Sequence, residues 1–254
     1  MNDTTTTSPI TSRHHPVIAA LRRLHRRRER DRTGRFIAEG EDLLEAADAA
    51  GWVALERLCA AGSGLPGRSV APDVLDWAST LGSGTRAAAI YEQRHGAPTG
   101  PLCVYLHQVG DPGNVGAVLR SALAFGASSV ALGPRCADPF GPKAVRASMG
   151  AIFTVAVAQA TGVDALPGRK VALVPGAGRA LAGPASGPTT ILLGAERTGL
   201  PDALLSAADE IRHIPTAAAS DSLNVAMAAT VALYELGPGR GTSAAAADRR
   251  MARP

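Results

Sequence analysis

Three short polar loops interrupt an otherwise apolar stretch of chain, and each carries residues that can hold a ligand or manage charge. The first, residues 110–120 (GDPGNVGAVLR), sets Asn114 and Arg120 among small apolar residues. An arginine in such surroundings needs an anion or a carboxylate. Its structural alternative is a salt bridge, and that of Asn114 is a helix N-cap. The second, residues 194–200 (GAERTGL), follows the apolar run TTILL. Gly194 there lets backbone approach a ligand closely, and Glu196 is a carboxylate just past a strand end. An acid that complements a helix dipole is the plainer role for Glu196. The third, residues 214–225 (IPTAAASDSLNV), opens with Pro215 and closes on Ser222, Leu223 and Asn224. Asp221 or Ser222 serves equally well as the cap of a final helix. Each loop admits a structural explanation by itself, and that explanation weakens if all three meet at one edge of a sheet.

The elements around them make that meeting plausible. From residue 102 onward strands and helices alternate: strands at 102–109, 129–132, 153–157, 171–174, 189–193 and 211–214, helices at 115–123, 143–150, 200–208 and 222–236. Such alternation implies a parallel sheet with helices on both faces. Ligands of open α/β sheets collect at the carboxyl ends of the strands, where all three loops lie. Upstream, residues 13–95 read as a smaller α/β unit, and HGAPTGP at 95–101 marks a boundary. Residues 1–12 and 237–254 read as a disordered N-terminus and a flexible tail.

Charge is concentrated in the small unit. Nine arginines and two acids lie between Arg13 and Arg35, whereas residues 36–56 carry six acids and no base. Residues 16–30 read as one helix, with Pro16 at its first position and Val17, Leu21 and Leu24 forming an apolar stripe. Arg22, Arg23, Arg26, Arg27 and Arg30 fall opposite that stripe, with Arg35 beyond. An arginine front on an apolar back suits nucleic-acid phosphates, and the alternative is a solvated helix face.

The 254 residues carry a net charge of +4, 46% hydrophobic and 19% charged residues. This is a globular composition. No apolar run reaches the roughly 20 residues of a membrane helix. The three cysteines are too far apart for a zinc site or a disulfide framework. The N-terminal MNDTTTTSPITSR lacks a signal peptide's apolar core, so the expected compartment is cytoplasmic. The six histidines form no metal motif. Residues 174–178 (VPGAG) fail the spacing of a dinucleotide loop, which argues against an NAD-dependent oxidoreductase.

Taken together, Asn114-Val-Gly-x-x-x-Arg120 with Phe125-Gly126, Leu192-Leu-Gly194-Ala-Glu196-x-x-Gly199-Leu200, and Ile214-Pro215 followed by Ser222-Leu223-Asn224-Val225 and Tyr234-Glu235 resemble the three motifs of the SpoU (TrmH) family of RNA methyltransferases, in the SPOUT superfamily. Residues 143–151 (KAVRASMGA) resemble a further segment of that family, and the small unit resembles its RNA-binding appendage. One departure is 216–220 (TAAAS), where members more often carry Met and Gly. The resemblance implies a methyltransferase domain over 100–236 with a deep trefoil knot, S-adenosyl-L-methionine as cofactor, a homodimer, no metal and no membrane. It implies methylation of a ribose 2′-hydroxyl in structured RNA, ribosomal before transfer RNA. The alternatives are methylation of an RNA base and a catalytically idle RNA-binding protein. By the same resemblance, Arg120, Asn114, Glu196, Ser222 and Asn224 form the catalytic group, and Gly194, Ile214, Leu223, Leu193 and Pro215 hold the cofactor.

Overall fold

The structure is a computed structural model that describes residues 8–217 and 223–237. Ser222 and the tail beyond residue 237 lie outside the described residues. The chain forms eight α-helices, two short 3-10 helices and eleven strands among these residues, arranged around two sheets.

The first sheet has the order β1-β4-β2-β3, from β1 (Arg35–Glu39), β2 (Glu56–Ala60), β3 (Arg68–Val70) and β4 (Ala87–Glu92). Strands β1 and β2 flank β4 antiparallel, and β3 runs parallel to β2. Helices α1 (Pro16–Arg23), α2 (Arg27–Thr33), α3 (Glu41–Ala49) and α4 (Pro72–Ala78) complete this unit. Of the N-terminal stretch expected to be disordered, residues 1–7 lie outside the described residues, and Ile10 is held in place. That side chain is buried, and its amide donates to the Ser69 carbonyl at 2.9 Å.

The single helix expected over 16–30 is two helices. Residues 24–26 leave the helical path because Arg30, 4% exposed, turns inward. Its Nη1 donates to the carbonyls of Leu24 (2.7 Å) and His25 (2.9 Å), satisfying oxygens that a continuous helix would have paired with backbone N–H groups. Its Nε and Nη2 both reach Asp138 Oδ2 at 2.7 Å. Arg30 is therefore a buried link to the second sheet, and its expected place on the RNA-facing front is corrected. Arg22, Arg23, Arg26, Arg27 and Arg35 are exposed, and Arg28 joins them. The Arg22 guanidinium lies over the Trp77 ring, 3.6 Å from its centroid.

The second sheet is wholly parallel, in the order β7-β6-β5-β10-β8-β11-β9. Its strands are β5 (Leu102–Leu106), β6 (Ser129–Leu132), β7 (Ala156–Gln159), β8 (Arg169–Leu173), β9 (Arg179–Ala180), β10 (Thr189–Leu193) and β11 (Glu210–His213). Strands β5 and β10 are buried along their whole length, as continuous apolar runs predict for the centre of a parallel sheet. Helices α5 (Pro112–Ala124), α6 (Pro142–Ser148) and α8 (Val225–Leu236) lie towards one core, and α7 (Asp202–Ser206) packs with the other. Helices α5 and α6 approach so closely at Gly116 that an added Cβ would stand 2.3 Å from the Ala144 carbonyl.

The two sheets share a core. Phe36, Trp52 and Tyr91 of the first unit pack against Phe140 and Phe153 of the second, with ring centroids 5.0–6.0 Å apart, and Trp52 Nε1 donates to the Phe153 carbonyl at 2.8 Å. A polar junction lies nearby. The buried Glu39 accepts from the Thr80 amide at 2.8 Å and from the Thr80 hydroxyl, with Arg146 at 3.5 Å and His25 at 3.6 Å. Burial opposes ionisation here, but these partners prevail and hold the carboxyl down at about 2. A lowered carboxylate stabilises the fold above its unfolded pKa and loses that contribution as pH falls towards the folded value. The predicted gap between the native protein and Glu39→Gln is on the order of 3 kcal/mol at neutral pH and shrinks between pH 4.5 and 2. Urea unfolding of both proteins across that range measures it, and a gap that does not change with pH refutes the assignment.

Candidate active site

The sheet edge where the strands end is shaped by what stops each strand. After β5, Asp111 caps α5 by accepting from the Asn114 amide at 3.0 Å, and Pro112 occupies the first turn. The cap expected at Asn114 is thus supplied three residues earlier. Asn114 stands in the first turn with its side chain free for other work. Lys143 binds Asp111 Oδ2 at 2.8 Å, and the Lys143 and Asn114 contacts lower the Asp111 carboxyl. After β10, Gly194 begins a turn that folds onto itself, with Gly199 N donating to the Ala195 carbonyl at 2.9 Å. An added Cβ at Gly194 would stand 2.1 Å from the Gly199 carbonyl carbon. The glycine is needed there by the loop's own closure. At the start of α8, Asn224 is the N-cap, accepting from Ala226 N at 2.9 Å; it fills the role expected of Asp221 or Ser222.

These three loops meet. Asn114 Nδ2 donates to Glu196 Oε1 at 2.5 Å, and Asn224 Nδ2 donates to Asn114 Oδ1 at 3.2 Å. One amide and one carboxylate oxygen are thereby fixed across sequence separations of 82 and 110 residues. Glu196 and Asn224 are exposed and Asn114 is half-buried, so the group can hold a polar ligand without the cost of a buried unpaired carboxylate.

Glu196 also lines a cavity of about 550 Å³. Its walls come from the ends of β8, β10 and β11 and the start of α8: Leu173, Val174, Leu193, Gly194, Ile214, Leu223 and Val225 among them. Four of the five expected cofactor residues line it; the fifth, Pro215, lies between the wall residues Ile214 and Thr216. The turn 174–176 forms one wall, although its glycine spacing does not fit a dinucleotide loop. The signal available was its position after an apolar strand. The volume falls within the range of small-molecule sites, and apolar side chains beside backbone polar groups suit a nucleoside. No Cβ added at Gly176 or Gly199 would meet a protein atom within 4 Å, so both turns leave open space beside the cavity. S-adenosylmethionine fits this donor set and size. No group of metal-binding side chains occurs among the described residues.

Arg120 does not join the network. It lies six residues beyond Asn114, about 9 Å along the helix axis and on another face. It is exposed and makes no hydrogen bond or ion pair with the described residues, so the salt-bridge alternative finds no partner among them. It shares a stripe of α5 with the exposed Leu123. Met227, Val231 and Tyr234 of the adjoining α8 are also exposed, by 61, 40 and 53%.

Residues 101–234 match the SpoU rRNA Methylase family, and residues 15–76 match the MRM3-like substrate binding domain. An uncharacterized tRNA/rRNA methyltransferase of Synechocystis is 32% identical over 89% of this chain and 92% of that protein. The 23S rRNA (guanosine(2553)-2′-O)-methyltransferase RlmP of Bacillus subtilis is 28% identical over 89% of this chain and 98% of its own length. The AdoMet-bound crystal structure of an rRNA methyltransferase from Sinorhizobium meliloti superimposes with a TM-score of 0.80 at 31% identity, covering 90% of this chain and 96% of that one.

Proposed function

The chain belongs to the SpoU rRNA methylase family, and from that premise we propose that it transfers a methyl group from S-adenosylmethionine to a ribose 2′-hydroxyl of ribosomal RNA. The observation that carries this reading is the Asn114–Glu196–Asn224 network at the rim of the cavity. S-adenosylmethionine, when bound, supplies an electrophilic methyl group. The chain's own work is to position the ribose and to manage the charge that grows on its O2′. Positioning contributes about 7–11 kcal/mol in such reactions, and general-base help roughly 10²–10⁴-fold. Positioning therefore leads. Gly194, Ile214 and Leu223 line the cavity and hold the cofactor, with Leu193 and Pro215 beside them. The carboxylate and amides of the network orient the ribose, and Ser222 belongs to the same group by its motif.

Arg120 enters as a charge. A guanidinium keeps its proton, so it steadies the ribose oxygen and a neighbouring phosphate while the ribose proton passes to that phosphate or to water. Its outward position suggests whose site it serves. Leu123 on the same helix and Met227, Val231 and Tyr234 on the adjoining α8 are exposed apolar residues, of the kind that mark a protein interface. We read this face as the seat of a second copy and Arg120 as completing the partner's site. The trefoil knot implied by the resemblance and a cytoplasmic location are part of the same reading.

The exposed arginines of α1 and α2 supply RNA affinity. Reversing Arg22, Arg23, Arg26 and Arg27 to Glu is expected to weaken RNA binding by more than about tenfold and to flatten its salt dependence. Cofactor affinity, measured by calorimetry, stays unchanged. RNA affinity equal to that of the native protein removes this patch from the account. The proposal as a whole is tested with methyl-labelled cofactor and separated ribosomal RNAs. Label is expected in one of them, and no label in any overturns the proposal.

A further inference from the structure

A second polar cluster lies beside the catalytic network, at the end of β5. The register pairs Leu106 with Leu193 of β10, and the His107 amide donates to the Leu193 carbonyl at 2.8 Å. Residues 107 and 108 therefore stand level with Gly194 and Ala195. From the other side the loop after β6 folds over them: Gly133 N donates to the Leu106 carbonyl and Ala137 N to the Val109 carbonyl, both at 2.8 Å. Arg135 lies between these two anchors and is exposed.

Two features make this cluster more than strand-end packing. Gln108 (φ 56°) and Arg135 (φ 59°) both hold the left-handed backbone conformation that residues other than glycine rarely adopt. Such strain persists where surrounding structure enforces it, and it concentrates at functional sites. Gln108 is also aimed. His107 is buried, its Nδ1 3.3 Å from the Tyr105 hydroxyl and its Nε2 3.0 Å from Gln108 Nε2. The Tyr105 hydroxyl in turn sits over Gly133, where an added Cβ would stand 2.3 Å away. Burial, with Arg135 nearby, lowers the His107 pKa and keeps the ring neutral, so its Nε2 can accept from the Gln108 amide nitrogen. The Gln108 carboxamide oxygen then has no partner among the described residues. Glutamine amides and arginine guanidiniums are each among the side chains that hydrogen-bond base edges.

We propose that Gln108, aimed by the Tyr105–His107 pair and flanked by Arg135, contacts the base of the nucleotide whose ribose is methylated and so helps set which base is accepted. This rests on the ribose-methylation reading above. Its position supports the assignment: the chain leaves β5 towards β6 and β7 and returns on the opposite side through β10, and ligands of open sheets lie in the crevice at such a reversal.

The test uses the full chain and ribosomal RNA. After the methylated position is mapped, transcripts spanning it are made with each of the four bases there. The native protein is expected to prefer one base by about ten- to a hundredfold in kcat/KM. Gln108→Ala is expected to bring the four within about threefold while cofactor affinity holds. Gln108→Gly removes the same amide and relieves the left-handed strain, so its melting temperature should not fall. The proposal is overturned if either variant keeps the native preference, or if the native protein has none. Failure of the native protein to methylate any ribosomal RNA removes the underlying reading, and this one with it.

Discussion

Arg120→Ala is expected to bind cofactor as the native protein does and to lose roughly 10²–10³-fold in kcat, the usual consequence of removing one charge-stabilising donor from a reaction centre. The residue makes no hydrogen bond or ion pair among the described residues and is exposed, so stability should change by less than about 0.5 kcal/mol. A loss of activity without a loss of stability separates a reacting group from a packing one. Its outward position adds a sharper expectation. Co-expressed with Glu196→Ala, the Arg120→Ala chain should regain about a quarter of the native rate, because half of randomly assembled dimers then carry one intact site. If Arg120 served the site of its own chain, every site in such a mixture would lack one group and no activity would return.

The second large effect concerns stability. Arg30→Ala is expected to lower the unfolding free energy by about 3–5 kcal/mol, since it strands Asp138 and two helix-terminal carbonyls. Arg30→Lys should recover only part of this, because an ammonium cannot reproduce the planar fork that reaches all three partners. Urea unfolding measures both. A loss below about 1 kcal/mol, accompanied by weakened RNA binding, would return Arg30 to the RNA-facing patch.

Arg30 also marks what the sequence could and could not disclose. The periodicity of Val17, Leu21 and Leu24 predicts the inward side of the first helix: Leu21 and Leu24 are buried and Val17 is half-buried, with Ile18 beside it buried. Periodicity carries no knowledge of Asp138, 108 residues away, so the inward turn of Arg30 and the break at 24–26 were invisible. The same limit applies at Asn114. Asparagine before an apolar run reads as a cap, yet Asp111 takes that duty, and the reason Asn114 is spared is Glu196, 82 residues on. The alternating strands and helices beyond residue 102 were legible because a buried parallel sheet needs continuous apolar runs. The two-residue β9 and the wall at 174–176 were not, since they bury too little to leave a pattern. The three motifs could be recognised in order and spacing. That the second and third line one cavity, with Asn114 of the first bonded to Glu196 and Asn224 at its rim, is a property of the fold alone.

The account is tested most directly by the fate of labelled RNA in alkali. Strand cleavage by hydroxide proceeds through a free ribose 2′-hydroxyl, so a methyl on that oxygen protects the linkage on its 3′ side, whereas a methyl on a base does not. After incubation of ribosomal RNA with the protein and methyl-labelled cofactor, complete alkaline hydrolysis should leave the label in an alkali-resistant dinucleotide. Label recovered in mononucleotides would contradict ribose methylation.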